Sequence, residues 1–255
     1  MPYIVHGASR LYYERQGQGD PVVLLHGVGG NHASWFHQIV AWRGKAELIT
    51  IDARGFGNSE DVEAWGRAAF ADDLLAVLDA LALPKVSLIA QSMGGGAAVN
   101  VAWRYPQRVR SLVLADTLVG LALPDELAVR MAEVAQRTQA LTQLERVLGP
   151  TFTQAQPEQA YLYTALASFN ATNVRTLKGE QPLVTGPQLS ASGVPILFVV
   201  GREDVLFPPE HIQAFQQTLP GSTFLEIPGA GHSAYFEAPQ VFNHKVYEWL
   251  DRQLR

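Results

Sequence analysis

The chain of 255 residues contains no cysteine, and only 17% of its residues are charged. The absence of cysteine excludes disulfide bonds, thiolate metal sites and a cysteine nucleophile. The formal net charge is −5 at pH 7. Because this balance is acidic, the sequence gives no reason to expect nucleic acid or an anionic membrane as a partner.

The chain also lacks long hydrophobic runs. No window is long and apolar enough to span a bilayer. The first residues, Met1–His6, lack the basic segment followed by an apolar segment that marks a secretory signal. We therefore expect a cytoplasmic protein without a membrane segment. The sequence does not indicate an oligomeric state.

The chain does contain a series of short apolar runs without polar alternation. Such runs are typical of strands that are buried on both faces of a parallel sheet. A hairpin is predicted before them, formed by Tyr3–His6 and Leu11–Arg15. The predicted buried strands are Val22–Leu25, Leu48–Ile51, Val86–Ala90, Val109–Ala115, Ile196–Val200 and Phe224–Ile227.

Amphipathic stripes lie between these runs, such as that of Phe242, Val246 and Trp249. Strands that alternate with helices predict an α/β fold, with a mostly parallel sheet covered by helices on both faces. The alternation stops in residues 117–192, which hold helical patterns and no convincing strand. We predict a helical cap there, inserted into a core made of residues 1–116 and 193–255.

The segment Ala90-Gln91-Ser92-Met93-Gly94 joins a predicted buried strand to a predicted helix. Ala90 and Gly94 flank the serine at minus two and plus two. A serine on a strained strand-to-helix turn needs small neighbours at these positions, because the strand and helix backbones pass close together. Ser92 is therefore a candidate nucleophile. The alternative is an incidental serine in a glycine-rich turn.

The strand Val22–Leu25 is followed by a glycine-rich loop, His26–Asn31. With acyl chemistry at Ser92, two N–H donors would be needed for a tetrahedral oxyanion. We nominate the backbone N–H groups of Val28 and Met93. The loop matches neither phosphate-binding glycine pattern, so a phosphate site is disfavoured. We interpret His26 as a structural residue that braces the loop.

Two later strands end in residues suited to activating a serine. Ile196–Val200 leads to Glu203 and Asp204, and Phe224–Ile227 leads to His232. A histidine can take the proton of the serine, and a carboxylate can orient the imidazole. His232 is the candidate base. The acid could be Asp204 or Glu203 on these grounds, and Asp116, after another strand, is a further alternative.

Over nearly its whole length the chain resembles the α/β-hydrolase superfamily. The resemblance implies that Asp204 rather than Glu203 is the acid, and that Asp52 and Arg54 are scaffold residues. A serine at the turn argues against dehalogenases and epoxide hydrolases of this family, which use aspartate. The matching segments are His26–Gly30, Asp52–Ser59, Ala90–Gly95, Gly201–Asp204 with Pro208, and Gly231-His232.

The function that the resemblance implies is that of a serine esterase or lactonase acting on a small-molecule substrate of small to medium acyl size. Such chemistry needs no metal and no cofactor. We expect Gly27 and Trp35 to contact the substrate. The wider set of apolar side chains available to a pocket is Trp35, Phe36, Met93, Leu118, Phe152, Tyr161, Tyr163 and Phe169.

Other functions on the same scaffold remain open. A C–C hydrolase of the meta-cleavage type would need a cation for a dienoate carboxylate, for which Arg104 and Arg175 are candidates. A perhydrolase, a lyase or a binding protein that keeps the pocket are further alternatives.

Overall fold

A computed structural model describes residues 2–254 of the chain, with Leu254 described by its backbone alone. Eight strands form one sheet in the order β1-β2-β4-β3-β5-β6-β9-β10, and two short strands, β7 and β8, pair separately. The strands are β1 Tyr3–His6, β2 Ser9–Gly17, β3 Pro21–Leu25, β4 Glu47–Ile51, β5 Val86–Gln91, β6 Val109–Ala115, β7 Leu121–Ala122, β8 Val184–Thr185, β9 Ile196–Gly201 and β10 Thr223–Ile227.

Eleven α-helices connect or follow the strands in the described part of the chain. They are α1 Phe36–Trp42, α2 Phe70–Ala80, α3 Gly94–Arg104, α4 Asp125–Thr138, α5 Gln143–Val147, α6 Pro150–Ala155, α7 Pro157–Ala167, α8 Gly186–Ala191, α9 Pro209–Gln216, α10 Ala234–Glu237 and α11 Pro239–Leu254. Short 3-10 helices occupy His32–Trp35, Gly66–Ala69 and Pro106–Arg108.

The sheet is parallel from β4 to β10, and antiparallel only where β1 pairs with β2 and β2 with β4. Every residue of β5 and β9 is buried, as expected for strands covered on both faces. The predicted hairpin, the six later strands and the α/β class are confirmed. The expected burial is wrong for Phe224–Ile227, where only Ile227 is buried, because β10 is an edge strand with one neighbour. All the parallel strands therefore direct their carboxyl ends to the same edge of the sheet.

Helices cover both faces of this sheet. Residues of α2, α3 and α9 pack on one face, against strand residues such as Leu88 and Phe198. Residues of α1 and α11 pack on the other face, against Ile89 and Leu197. Because neighbouring strand residues point to opposite faces, one continuous apolar strand supplies both layers of the core.

The inserted region differs from the sequence prediction in one respect. The prediction that residues 117–192 contain no strand is wrong, because Leu121–Ala122 pairs in parallel with Val184–Thr185. Strands of two residues are too short to produce a recognisable hydrophobic period. Helices α4 to α7 lie between these two strands, whereas Val184 and Leu189 are buried in the core beside α3. The helical cap, with its boundaries at 117 and 192, remains a prediction.

Within residues 2–254, no helix combines the length and the hydrophobicity that crossing a membrane requires.

Candidate active site

Ser92 occupies the turn between β5 and α3 in a strained backbone conformation. Its φ is 47°, a region that residues other than glycine rarely adopt. Two hydrogen bonds stabilise the turn: the Ser92 N–H donates to the Ala115 carbonyl at 3.0 Å, and the Thr117 hydroxyl donates to the Ser92 carbonyl at 2.8 Å. A Cβ atom on Gly94 would lie 2.7 Å from the Leu25 carbonyl oxygen. Position 94, two residues after Ser92, therefore needs a small residue because a larger one would clash with the β3 backbone.

Three side chains from three strand ends meet at this turn. The Nε2 atom of His232 lies 2.9 Å from the Ser92 Oγ atom. The Nδ1 atom of the same ring lies 2.9 Å from Asp204 Oδ2. His232 and Asp204 are buried, whereas Ser92 is partly exposed. The hydroxyl is thus accessible to a small molecule, while the two groups behind it are shielded from water.

The loop after β9 fixes the Asp204 carboxylate. Its Oδ1 atom accepts hydrogen bonds from the backbone N–H groups of Leu206 at 2.8 Å and Phe207 at 3.0 Å. This leaves Oδ2 directed at the imidazole. The Phe207 ring also stacks on His232, with ring centres 5.7 Å apart. The imidazole is therefore held both at its edge and at one face.

The two alternative acids are engaged elsewhere. The Glu203 side chain turns towards α6, where it accepts a hydrogen bond from Thr151 N at 3.0 Å. Asp116 is fully buried and accepts hydrogen bonds from Gly201 N at 2.8 Å and Ala234 N at 3.2 Å. Burial and the nearby Asp204 carboxylate raise the pKa of Asp116 well above its usual value. Within the described chain, only Asp204 among these acids hydrogen-bonds to the His232 ring.

The predicted oxyanion donors come from two segments, since Met93 lies in the serine turn and Val28 lies in the loop after β3. Neither the Val28 nor the Met93 N–H group has a hydrogen-bond acceptor among residues 2–254. Met93 directly precedes α3, whose free N–H groups and dipole favour negative charge at this end. Two unpartnered donors beside a hydroxyl are what a tetrahedral oxyanion requires.

Gly27 has a packing role that explains the absence of a side chain. A Cβ atom there would overlap the Gln91 side-chain oxygen and lie 2.9 Å from Ser92 Cβ. The glycine therefore lets the loop approach the serine turn. Its expected contact with substrate remains a prediction.

His26 braces the loop, as its sequence context indicated. Its Nε2 atom accepts a hydrogen bond from Ala53 N at 2.9 Å, so Nδ1 carries the proton and donates to the Gly27 carbonyl at 2.7 Å. Burial lowers the pKa of His26, which favours this neutral form. The interpretation of His26 as structural is confirmed.

Asp52 and Arg54 also have the scaffold positions that the family resemblance implied. Asp52 accepts hydrogen bonds from the backbone N–H groups of His32 and Asn58. The Arg54 guanidinium makes two hydrogen bonds to Asp73, at 2.9 and 2.6 Å. Both side chains are buried.

The apolar residues expected at the pocket differ widely in exposure. Trp35 is 0% exposed, and its ring packs on Tyr235 with ring centres 4.4 Å apart; its expected contact with substrate remains a prediction. Tyr161 and Phe169 are 76% and 73% exposed and face solvent. The hydrophobic pattern identified apolar positions but not which side of a helix or loop faces the site.

Sequence reasoning missed several polar residues around the site. Gln91 donates from Nε2 to the His232 carbonyl at 2.8 Å. The Ser233 hydroxyl donates to the Tyr163 hydroxyl at 2.9 Å, which connects α7 to the residue after His232. Glu237, on α10, accepts hydrogen bonds from the backbone on both sides of His232. The only sequence signal for Gln91 and Ser233 is that they adjoin Ser92 and His232.

Comparison with known proteins agrees with this architecture. A family model described as alpha/beta hydrolase fold matches residues 20–239. The chain belongs to the alpha/beta hydrolase fold family. A solved structure of a thermophilic esterase from Thermogutta terrifontis is similar to it, with 29% identity, a TM-score of 0.80, and coverage of 96% of this chain and 94% of that one.

Two curated members of the alpha/beta hydrolase family illustrate the range of named activities. A putative carbamate hydrolase, RutD, from Azorhizobium caulinodans is 27% identical over 96% of this chain and 97% of its own length. A 2-hydroxy-6-oxononadienedioate/2-hydroxy-6-oxononatrienedioate hydrolase from Burkholderia vietnamiensis is 28% identical over 95% of this chain and 91% of its own. These two relatives are named for different substrates, so similarity alone does not fix the reaction of this chain.

Proposed function

We propose that this alpha/beta hydrolase cleaves carboxylic esters or lactones through an acyl-enzyme formed on Ser92. The observation that carries the proposal is the continuous chain of contacts from Ser92 Oγ to His232 and from His232 to Asp204, each 2.9 Å long. A serine hydroxyl is a weak nucleophile until a base within hydrogen-bond reach takes its proton. His232 Nε2 lies within that reach of Ser92 Oγ, which supports His232 as the base.

In the first half of the reaction, Ser92 Oγ attacks the carbonyl carbon while His232 Nε2 takes the hydroxyl proton. The carbonyl oxygen becomes an oxyanion, which the Val28 and Met93 N–H groups stabilise. The Nδ1–H of the imidazolium donates a hydrogen bond to the Asp204 carboxylate, which stabilises the positive charge. When the carbon–oxygen bond to the leaving group breaks, His232 returns the proton to the departing alcohol.

In the second half, a water molecule attacks the acyl carbon and gives one proton to His232 Nε2. The same two N–H groups stabilise the second oxyanion. Its collapse breaks the bond to Ser92, and His232 protonates the serine oxygen. The products are the carboxylic acid and the regenerated hydroxyl; a lactone gives one hydroxy acid. Each step combines the substrate or one water molecule with side chains and backbone groups of this chain.

Several features support ester or lactone cleavage over C–C cleavage. Arg104, one candidate for holding a dienoate carboxylate, ends α3, at the end opposite to Ser92, and pairs with Asp72 at 3.2 Å. An 11-residue helix is about 16 Å long, which removes this guanidinium from the serine. Arg175, the other candidate, is exposed.

The proposal is tested with a panel of p-nitrophenyl esters and lactones of graded length, alongside a carbamate and a ring-fission dienoate. We expect turnover of short to medium esters or lactones, and a loss of about 10⁴-fold or more in kcat for Ser92→Ala with an unchanged fold. Wild-type rates in Ser92→Ala, or turnover of the dienoate with none of the esters, would refute it.

A further inference from the structure

A single buried carboxylate holds the backbone on both sides of the proposed base. Glu237 Oε2 accepts a hydrogen bond from Gly231 N, and Oε1 accepts one from Ser233 N, both at 2.9 Å. Gly231 and Ser233 are the two neighbours of His232 in the chain. Glu237 therefore fixes the backbone before and after His232, in addition to the contacts that Asp204 and Phe207 make with its ring.

The same carboxylate connects this loop to the inserted region. Glu237 Oε2 also accepts a hydrogen bond from Gly149 N at 2.7 Å, so one oxygen bridges the insertion and the histidine loop. A Cβ atom on Gly149 would lie 2.8 Å from Gly231 N. The two backbones thus meet without intervening side chains, and the Glu237 oxygen fills the gap between their N–H groups.

We propose, on the basis of the proposed function, that Glu237 is a positioning residue that aligns His232 with Ser92 and makes this alignment depend on contact with the inserted region. The three partners of Glu237 are backbone N–H groups, which are best satisfied by an ionised carboxylate. A protonated carboxyl group would present an O–H to one of these donors. The three hydrogen bonds to Glu237 are therefore strongest when its carboxylate is charged.

The surroundings of Glu237 make its charge sensitive to pH in the neutral range. Burial raises its pKa to about 7, against the opposing effect of the three N–H donors. The titratable groups that interact with it electrostatically are the carboxyl groups of Asp116 and Asp204 and the hydroxyl groups of Tyr163 and Tyr235. The imidazole of His232 and the Glu203 carboxylate lie on the adjoining loops.

Glu237→Gln tests this role, because it keeps the shape of the side chain and removes its charge. We expect kcat on the best ester to fall about 100-fold, as for a small misalignment of reacting groups, with KM little changed. The rate of Ser92 labelling by a fluorophosphonate should fall in parallel. Because the pKa of Glu237 is raised to about 7, we expect kcat of the wild type to depend on an ionisation near pH 7, and this dependence should be lost in Glu237→Gln.

The matched control is Glu203→Gln. The Glu203 side chain also joins the core to the insertion, through Thr151 N at 3.0 Å. Its backbone N–H donates to Ala230 O, which Glu203→Gln leaves intact, and within the described chain its carboxylate accepts no hydrogen bond from either neighbour of His232. We expect its kcat to stay within about twofold of the wild type, as for most substitutions away from such sites. If Glu203→Gln and Glu237→Gln lost the same activity, attachment of the insertion would explain both, and the positioning role would be wrong.

A second readout does not depend on any substrate. The proton on His232 Nδ1, hydrogen-bonded to Asp204, gives an NMR signal that should shift or broaden in Glu237→Gln and stay unchanged in Glu203→Gln. A folded Glu237→Gln with wild-type kcat, pH profile and Nδ1 signal would overturn the proposal, even if its melting temperature fell. If Glu237→Gln does not fold, Glu237→Asp replaces it. This variant keeps the charge, but its side chain is one methylene too short to reach all three donors, so we expect the same losses.

The two proposals fail in distinguishable ways. A wild-type protein that hydrolyses no ester and reacts with no fluorophosphonate would refute the proposed function. The NMR comparison of the Glu237 and Glu203 variants would still decide whether Glu237 positions the imidazole.

Discussion

The carboxyl edge of the sheet and the insertion that contacts it are held together in different ways. At the sheet edge, His232, Asp204 and Asp116 are buried, and each makes at least two hydrogen bonds. In the insertion, α5 has no buried residue and α6 has only Phe152. The insertion is held mainly by apolar packing, since it contributes buried side chains to both layers of the core, such as Leu127, Phe152 and Tyr163. We infer that hydrogen bonds at the sheet edge hold the reacting groups, and that the more exposed helices of the insertion are where substrate choice can vary.

The largest effect is expected from the acid at the sheet edge. Asp204→Asn should lower kcat by about 10³- to 10⁴-fold with little change in KM, because the imidazole loses the carboxylate that orients it and stabilises its charge. Asp116→Asn is the comparison, since Asp116 is equally buried but does not contact the ring. Steady-state kinetics of both variants on one ester measure the two losses in kcat. A larger loss in the Asp116 variant would show that the acid had been assigned to the wrong strand.

A second prediction concerns stability at the junction of the two regions. Glu237 has a pKa of about 7 in the folded chain, above its ordinary value of 4.5. Between these values the folded state binds more protons than the unfolded state, so the free energy of unfolding should fall as the pH rises from 4.5 to 7. A shift of this size corresponds to about 3 kcal/mol.

In Glu237→Gln this contribution disappears, and urea titrations at several pH values should show a flatter profile than the wild type. Glu158→Gln, an exposed substitution on α7, is the control and should leave the profile unchanged. An unaltered slope in the Glu237 variant would mean that its carboxyl group does not titrate in this range.

A smaller effect is expected from the contact between α7 and the histidine loop. Tyr163→Phe removes the hydroxyl that accepts a hydrogen bond from Ser233 and leaves the buried ring in place. We expect a loss of about 1 kcal/mol in the free energy of unfolding, the usual value for one hydrogen bond. Both KM and kcat should change modestly, because the lost hydrogen bond joins the insertion to the residue after His232. A change in kcat with no change in KM would mean that this contact with the insertion affects only the chemistry at the sheet edge.

The smallest effect is expected on the outer surface of the insertion. Tyr161→Ala and Phe169→Ala alter rings that face solvent. Both variants should keep KM and kcat within about twofold of the wild type, since exposed substitutions rarely change stability by more than about 0.5 kcal/mol. A large rise in KM in either variant would show that the substituted ring does contact the substrate.

The contrast between the regions also explains how far the sequence could predict the structure. The strand ends carry strong local signals: a buried run, then a glycine-rich loop or a polar residue, as at Ser92 and His232. The order of these signals along the chain matches the parallel sheet that assembles them. The strands Leu121–Ala122 and Val184–Thr185 were missed, because two residues have no period.

Side-chain roles in the insertion and behind the site were the least predictable. Trp35 and Tyr161 have similar aromatic character in sequence, yet one is fully buried and the other is exposed. In the sequence, Glu237 looks like any glutamate in a helix. Its role is visible only in the structure, where the Gly231 and Gly149 N–H groups both donate to it. Such roles depend on distant segments meeting, which a single sequence does not encode locally.

The most direct test of the central claim is intact-mass analysis after treatment with a fluorophosphonate, followed by peptide mapping. We expect one adduct on the peptide that contains Ser92, formed more slowly in His232→Gln and absent in Ser92→Ala. An adduct on another residue, or equal labelling of the wild type and Ser92→Ala, would contradict the account.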